Sequence, residues 1–337
     1  MIDLTLLMAI ALVICVLLYV VLDGFDLGIG MLFPLLRDVT QREEAIASIA
    51  PLWDGNETWL VAGGMTLFAA FPAAFAVILP ALYMPLGFML TALVVRGVAF
   101  EFRERALDAG RRFWDQAFHW GSSVAALSQG LALGTLIQGI PVTNGEYAGG
   151  DFDWLTPFSL LTAFALAVGY VLLGACWLMM RTSSAARLYA RRVAIAAGGV
   201  LGIMMCLVGL WMAAVEAPLA NRGWFNAAML AWLPLLAAIL LGLLTLLVRA
   251  AVRDQPVAPF VYAASLFGVA FLGLVTALWP FIVPYAMTFD DAAAADNSLG
   301  FLIVAYLVLL PMVGLFAWNQ FHTFRGRVRR DDTEPYT

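Results

Sequence analysis

Apolar residues along this chain recur in long, nearly uninterrupted stretches, without the alternation of a half-buried strand or the single stripe of a surface helix. Nine stretches stand out, at about 4–26, 56–75, 78–100, 115–139, 157–180, 193–215, 227–248, 258–282 and 299–321. Each is long enough to cross about 30 Å of hydrocarbon at about 1.5 Å per residue. The pattern predicts an all-α polytopic membrane protein of about nine transmembrane helices. Only Phe71, Pro72 and a few small residues separate the second and third stretches, which predicts a tight helical hairpin with almost no loop. The first cation, Arg37, follows the first stretch, and a signal peptide would open with positive charge. The first stretch is therefore read as a retained helix.

Composition agrees. The chain has 337 residues, 63% hydrophobic and 12% charged, against about 25% charged in soluble domains. Its mean hydropathy is +0.91. The spans leave no room for a sizeable soluble domain, so residues 1–337 read as one transmembrane domain with a short charged tail at 323–337. No basic patch suggests nucleic acid as a partner. Cys15, Cys176 and Cys206 all fall inside apolar runs, with no CxxC or CxxCH, and read as small packing residues.

Charge orients the helices. The chain has no lysine, and 16 of its 18 arginines follow odd-numbered stretches, in the sets beginning at Arg37, Arg103, Arg181, Arg249 and Arg325. Arg222 falls in a loop on the other side and Arg96 falls inside the third stretch. Cytoplasmic loops carry the excess of basic residues, which predicts an outside N-terminus and a cytoplasmic C-terminus. The outer loops are acidic, with Glu146, Asp151 and Asp153 in one and Asp290, Asp291 and Asp296 in another. Trp53, Trp154, Trp224 and Trp279 lie near span ends and read as interfacial anchors.

Against this background six charged residues are out of place. Asp23 and Asp26 are three apart near the end of the first stretch, and Asp54 and Glu57 are three apart at the start of the second. Arg96 and Glu101 lie near the end of the third. The predicted orientation puts all three pairs at one cytoplasmic depth, with Asp26 and Glu101 the most peripheral. An ionised side chain at the bilayer centre costs about 2.5–3.5 kcal/mol on insertion scales, so such residues face a bundle interior, pair, or line an ion or proton path. One arginine cannot neutralise five acids. Either some acids carry protons or water reaches them, and both suit proton uptake from the cytoplasm. The plainer alternative is a charge-paired helix clamp, with Asp23 and Asp26 solvated at the interface.

Other candidates are weaker. His119 and His322 lie at cytoplasmic helix ends without a ligand partner at helical spacing and read as capping or interfacial residues. The GIG at 28–30 lacks the third glycine of a dinucleotide fingerprint and follows no strand. Small-xxx-small spacings at Gly24/Gly28, Gly130/Gly134 and Gly198/Gly202 permit close helix contact.

The segments LDGFDLGIGML, WDGNETWLVAGGMTLFAAFP, RGVAFEFR, LTPFSLL and LWPFIVP, the last followed by FDDAA, resemble subunit II of the cytochrome bd-type quinol oxidases, in look nearest the cyanide-insensitive branch. The resemblance runs nearly end to end. It implies two four-helix bundles, at about 1–140 and 155–285, and a final helix at about 298–322. It implies a bacterial cytoplasmic membrane enzyme that oxidises quinol and reduces oxygen to water. In that enzyme, b- and d-type haems and the quinol site belong to subunit I, the partner, with room for a small accessory subunit. This chain would ligate no haem or metal, hold no catalytic residue, scaffold subunit I among membrane lipids, and contribute to proton or oxygen access. Asp23, Asp26, Asp54, Glu57, Arg96 and Glu101 match the family's polar positions. Two rivals are a proton-coupled secondary transporter using the same carboxylates, and a haem-binding chain using His119 or His322. No inverted repeat supports the transporter. A haem absorbance spectrum of the gently purified native complex separates the readings: a haem-free, active carrier would sink the oxidase.

Overall fold

The structure is a computed structural model that describes residues 3–182, 185–215 and 227–328. Arg222, Trp224, Arg329 and Arg330 lie outside the described residues, as does the rest of the charged tail. The fold is almost entirely helical. In chain order the helices are α1 (Leu4–Leu32), α2 (Val39–Ile49), α3 (Trp53–Ala70), α4 (Pro72–Ala81), α5 (Tyr83–Arg105) and α6 (Asp108–Gln138). They continue as α7 (Pro157–Arg181), α8 (Ala185–Val215), α9 (Ala227–Val252), α10 (Ala258–Leu278), the short α11 (Phe289–Ala292) and α12 (Asp296–Thr323). Among the described residues, α1, α5, α7, α8, α9, α10 and α12 are each long and apolar enough to cross a membrane. At 31 residues α6 is also long, but it is more polar and lies along α5, α7 and α1.

The expected hairpin between the second and third stretches is not what forms. Phe71 leaves helical geometry (φ −131°, ψ 58°), and Pro72 starts a new helix at a position where its missing N–H is not needed. The result is α4, bent by 120° from α3. The following helix, α5, therefore begins at Tyr83 rather than near residue 78. A ten-residue helix replaces the tight turn, and its apolar side is covered by the loops at that end.

Two small hairpins make that cover. β1 (Val142–Thr143) pairs with β2 (Glu146–Tyr147), and β3 (Phe281–Val283) pairs with β4 (Met287–Thr288). Both touch α4. The Ala294 N–H donates to the Ala70 carbonyl at 2.9 Å, and Phe289 packs edge-on against Phe71. Thr288 hydrogen bonds hold the Asp291 carboxyl below the usual carboxylate range. Trp154, expected as a lipid anchor, is buried and donates from its indole N–H to the Asp151 carbonyl at 2.8 Å. It plugs the cap from inside. Trp279 does remain exposed, stacked on Phe289.

Helices α1, α3, α5 and α6 contact one another through α1 and the α5/α6 pair, while α7, α8, α9 and α10 form a second connected set. The seam between the sets is α7 against α1 and α6. Its closeness depends on glycine: a Cβ on Gly28 would collide with the Tyr170 carbonyl, and one on Gly174 would stand 2.6 Å from the Gly28 backbone. The helices meet backbone to backbone there, as small residues allow. By contrast α12 touches mainly α1 and α3 and leaves most of its apolar surface uncovered. Replacing Gly28 by Val is expected to force α1 and α7 apart at a cost of about 1–3 kcal/mol. The check is the thermal midpoint of the purified protein in detergent, which should fall, whereas Gly64→Val, at a position open on all sides, should leave it unchanged.

Candidate functional site: a buried ion-pair centre

Every residue from Asp23 to Gly30 of α1 is buried. This half of α1 packs against α3, α6 and α7, and its two aspartates are buried. Arg96, on α5, reaches into the same space. Its Nη1 donates to Asp23 Oδ1 at 2.6 Å and its Nη2 to Glu57 Oε2 at 3.1 Å. Arg96 and Asp23 side chains are 2% and 1% exposed, while the Glu57 side chain is 25% exposed. Asp26 is not peripheral, as sequence position implied, but fully buried. Its Oδ2 accepts from Asn56 Nδ2 at 2.8 Å, and the same amide reaches the Leu22 carbonyl at 3.3 Å.

The structure thus brings together four of the six charged residues. Asp23, Glu57 and Arg96 form one ion-paired group, and Asp26, one turn from Asp23 on α1, is held separately by Asn56. Asp54 and Glu101 lie on exposed faces of α3 and α5, on the rim of the centre. Asp54 also sits in the first turn of α3, where a negative charge complements the helix dipole. Three carboxyls around one guanidinium carry more acceptor oxygens than Arg96 has donors to fill. Asp23 Oδ2 and Asp26 Oδ1 are buried without a hydrogen-bond partner among the described residues. Chemically, the group can hold a proton at one carboxyl and exchange it with a neighbour, and Glu57 is its member with access to the surface.

Further along α5, Arg103 makes a second network. It donates to Asp115 at 2.6 Å and to Glu43 at 3.0 Å. Arg42 reaches Asp115 at 3.0 Å and Arg111 reaches Glu43 at 3.4 Å. The guanidiniums of Arg42 and Arg103 lie over the Phe33 ring. These contacts tie α2, which the hydropathy pattern does not announce, onto α5 and α6. Arginines that served in the sequence only as a charge count are here paired and part of the packing.

Several polar residues of the centre escaped the sequence reading. Asn56 stands between Asp54 and Glu57 in the WDGNE segment. Tyr19, Gln129 and Tyr170 lie toward the middle of α1, α6 and α7: Tyr170 donates to Gln129 Oε1 at 2.7 Å, and Gln129 Nε2 donates to the Tyr19 hydroxyl at 2.7 Å. Their signal was available, since each is a polar group inside an apolar stretch, but neutral side chains raise less suspicion than charges. His119 Nδ1 lies 3.2 Å from the Gly30 carbonyl and His322 stacks on Trp318. Among the described residues no three His, Cys, Asp or Glu side chains are grouped as metal ligands.

A mostly helical, multi-pass membrane chain organised around an interior Arg–carboxylate centre is the class this fold and site define. The chain belongs to the cytochrome bd terminal oxidase subunit II family, whose model matches residues 4–324. This is the family that the segments around the centre resemble. The chain is 33% identical to the cytochrome bd-I ubiquinol oxidase subunit 2 of Escherichia coli (strain K12), over 95% of this chain and 93% of that one. It is 28% identical to the cytochrome bd ubiquinol oxidase subunit 2 of Bacillus subtilis (strain 168), over 94% of each. Its fold matches a chain of the bd oxidase from Geobacillus thermodenitrificans with a TM-score of 0.78 at 16% identity, covering 96% of this chain and 98% of that one.

Arg96→Leu removes the guanidinium that pairs with Asp23 and Glu57 and leaves Asp23 buried and uncompensated. Breaking such a pair costs about 3–5 kcal/mol. The yield of folded protein after mild detergent extraction is expected to drop sharply, and the double variant Arg96→Leu/Asp23→Leu should recover a large part of it.

Proposed function

We propose that this chain is the haem-free subunit II of a bd-type terminal oxidase, in which a haem-bearing subunit I oxidises quinol and reduces oxygen to water. In this reading the chain scaffolds subunit I and lends its interior acids to proton uptake from the cytoplasm. Family membership and the full-length likeness to two ubiquinol oxidase subunits support the assignment. The observation that carries the proton role is the gradient of exposure across neighbouring acids: Asp54 exposed, Glu57 a quarter exposed, Asp23 and Asp26 fully buried. Reducing oxygen to water consumes protons, and a carboxylate series leading inward from a surface supplies a path for them.

The same reading places the acidic centre at the cytoplasmic side, with the N-terminus outside, because the arginine-rich helix ends and the centre share one end of the molecule. It counts α3 and α6 with the seven apolar helices to make nine spans. It divides them into two four-helix bundles, α1/α3/α5/α6 and α7–α10, with α12 as the ninth. The bacterial inner membrane is its location. The uncovered apolar faces of α5 and α12, including Val94, Phe102, Phe301 and Leu307, are surfaces for subunit I and lipid.

The test is Glu57→Gln in the assembled oxidase, a change that keeps the side chain's shape and removes its charge. Haem content should stay at the wild-type level while oxygen consumption falls about tenfold or more, a barrier increase of about 1.4 kcal/mol. Unchanged oxygen consumption at full haem content would remove the proton role. A collapse of haem content would make the centre a structural clamp.

A further inference from the structure

The ion-pair centre does not end at Asp23. We infer that Gln129, on α6, is a positioning residue that makes the Tyr19 hydroxyl a hydrogen-bond donor to Asp23. The inference rests on the proton role proposed above.

The direction of each bond follows from what the groups can do. Tyr170 is fully buried, stacked on Phe267 and pressed under Gly24, and the acceptor that its hydroxyl meets is Gln129 Oε1 at 2.7 Å. An amide has its acceptor on one arm and its donors on the other. With Oε1 turned to Tyr170, Nε2 must face Tyr19, which it meets at 2.7 Å. Tyr19 oxygen is then an acceptor, and its own proton must point elsewhere. Asp23 lies one turn further along α1, four residues on and on the same helix face as Tyr19. Asp23 Oδ1 is taken by Arg96, and Oδ2 is buried with no hydrogen-bond partner among the described residues. A buried carboxylate oxygen without a donor is costly, so the free proton of Tyr19 and the free oxygen of Asp23 answer one another.

The series Tyr170 to Gln129 to Tyr19 to Asp23 therefore runs one way. It starts near the middle of α7 and ends at the centre. An amide neither gains nor loses a proton at ordinary pH, so the series orients Asp23 rather than conducting through Gln129. The groups that face Asp23 are Arg96 from α5, Glu57 from α3, Asp26 and Tyr19 from α1 and Tyr170 from α7. From α6 comes only the uncharged Gln129, which acts through Tyr19.

The experiment uses the assembled oxidase with Gln129→Leu, Tyr19→Phe and the two combined, alone and with Asp23→Asn. Haem content should be retained. The acid limb of the pH profile of oxygen consumption should move to higher pH by about half a unit or more in each single variant, because a carboxylate that loses a donor holds its proton longer. The double variant should shift no further, since both act through one bond, and with Asp23→Asn neither change should move the profile. Unshifted profiles in Gln129→Leu and Tyr19→Phe, where Asp23→Asn itself slows turnover, overturn this inference and leave the proton role standing. Additive shifts overturn it too, as does loss of haem in both single variants, which would make the series a packing element. Normal turnover and haem in Asp23→Asn removes the proton role and this inference with it.

Discussion

A guanidinium cannot sit unpaired in an apolar interior. Arg96 is buried on every side, and the arrangement of α1, α3 and α5 around it follows from that constraint. Its two arms take Asp23 from α1 and Glu57 from α3, so three helices distant in sequence are fixed at one level and in one rotational setting. A well-packed apolar substitute could hold the helices as firmly. What it could not do is keep ionisable oxygens inside the protein.

The surroundings of the centre are built to keep it in place. On one side, Phe33 and the Arg103 network bind α2 across α5 and α6. On another, the glycine seam brings α7 against α1, so that Tyr170 reaches the neutral polar residues beside Asp23. At the far end of the helices the bent α4, the two hairpins and Trp154 close the bundle without a long loop. Asp23, Asp26 and Arg96 are enclosed, and Glu57 stays a quarter exposed.

Much of this was legible in the chain. Long apolar stretches have one physical solution in a membrane, a helix that satisfies its own backbone, so the existence of the helices followed from composition alone. The tight hairpin failed at Pro72, because a proline after a short apolar turn can as readily open a new helix as close a reversal. Trp154 misled in the same way: an aromatic near a span end looks the same whether lipid or a loop covers it.

The sequence by itself determined that this is a helical membrane protein and that acids and one arginine stand inside its apolar stretches. The segments around Asp23, Asp54 and Arg96 also pointed to the right family. Hydropathy is a property of each residue and its neighbours along the chain, so periodicity and charge can report it. Which acids meet Arg96 is a property of three helices at once. Only the tertiary structure could separate Asp23, Asp26 and Glu57, drawn inside, from Asp54 and Glu101, left on the rim, because a rotation of one helix by a single residue exchanges those fates without altering the pattern along the chain.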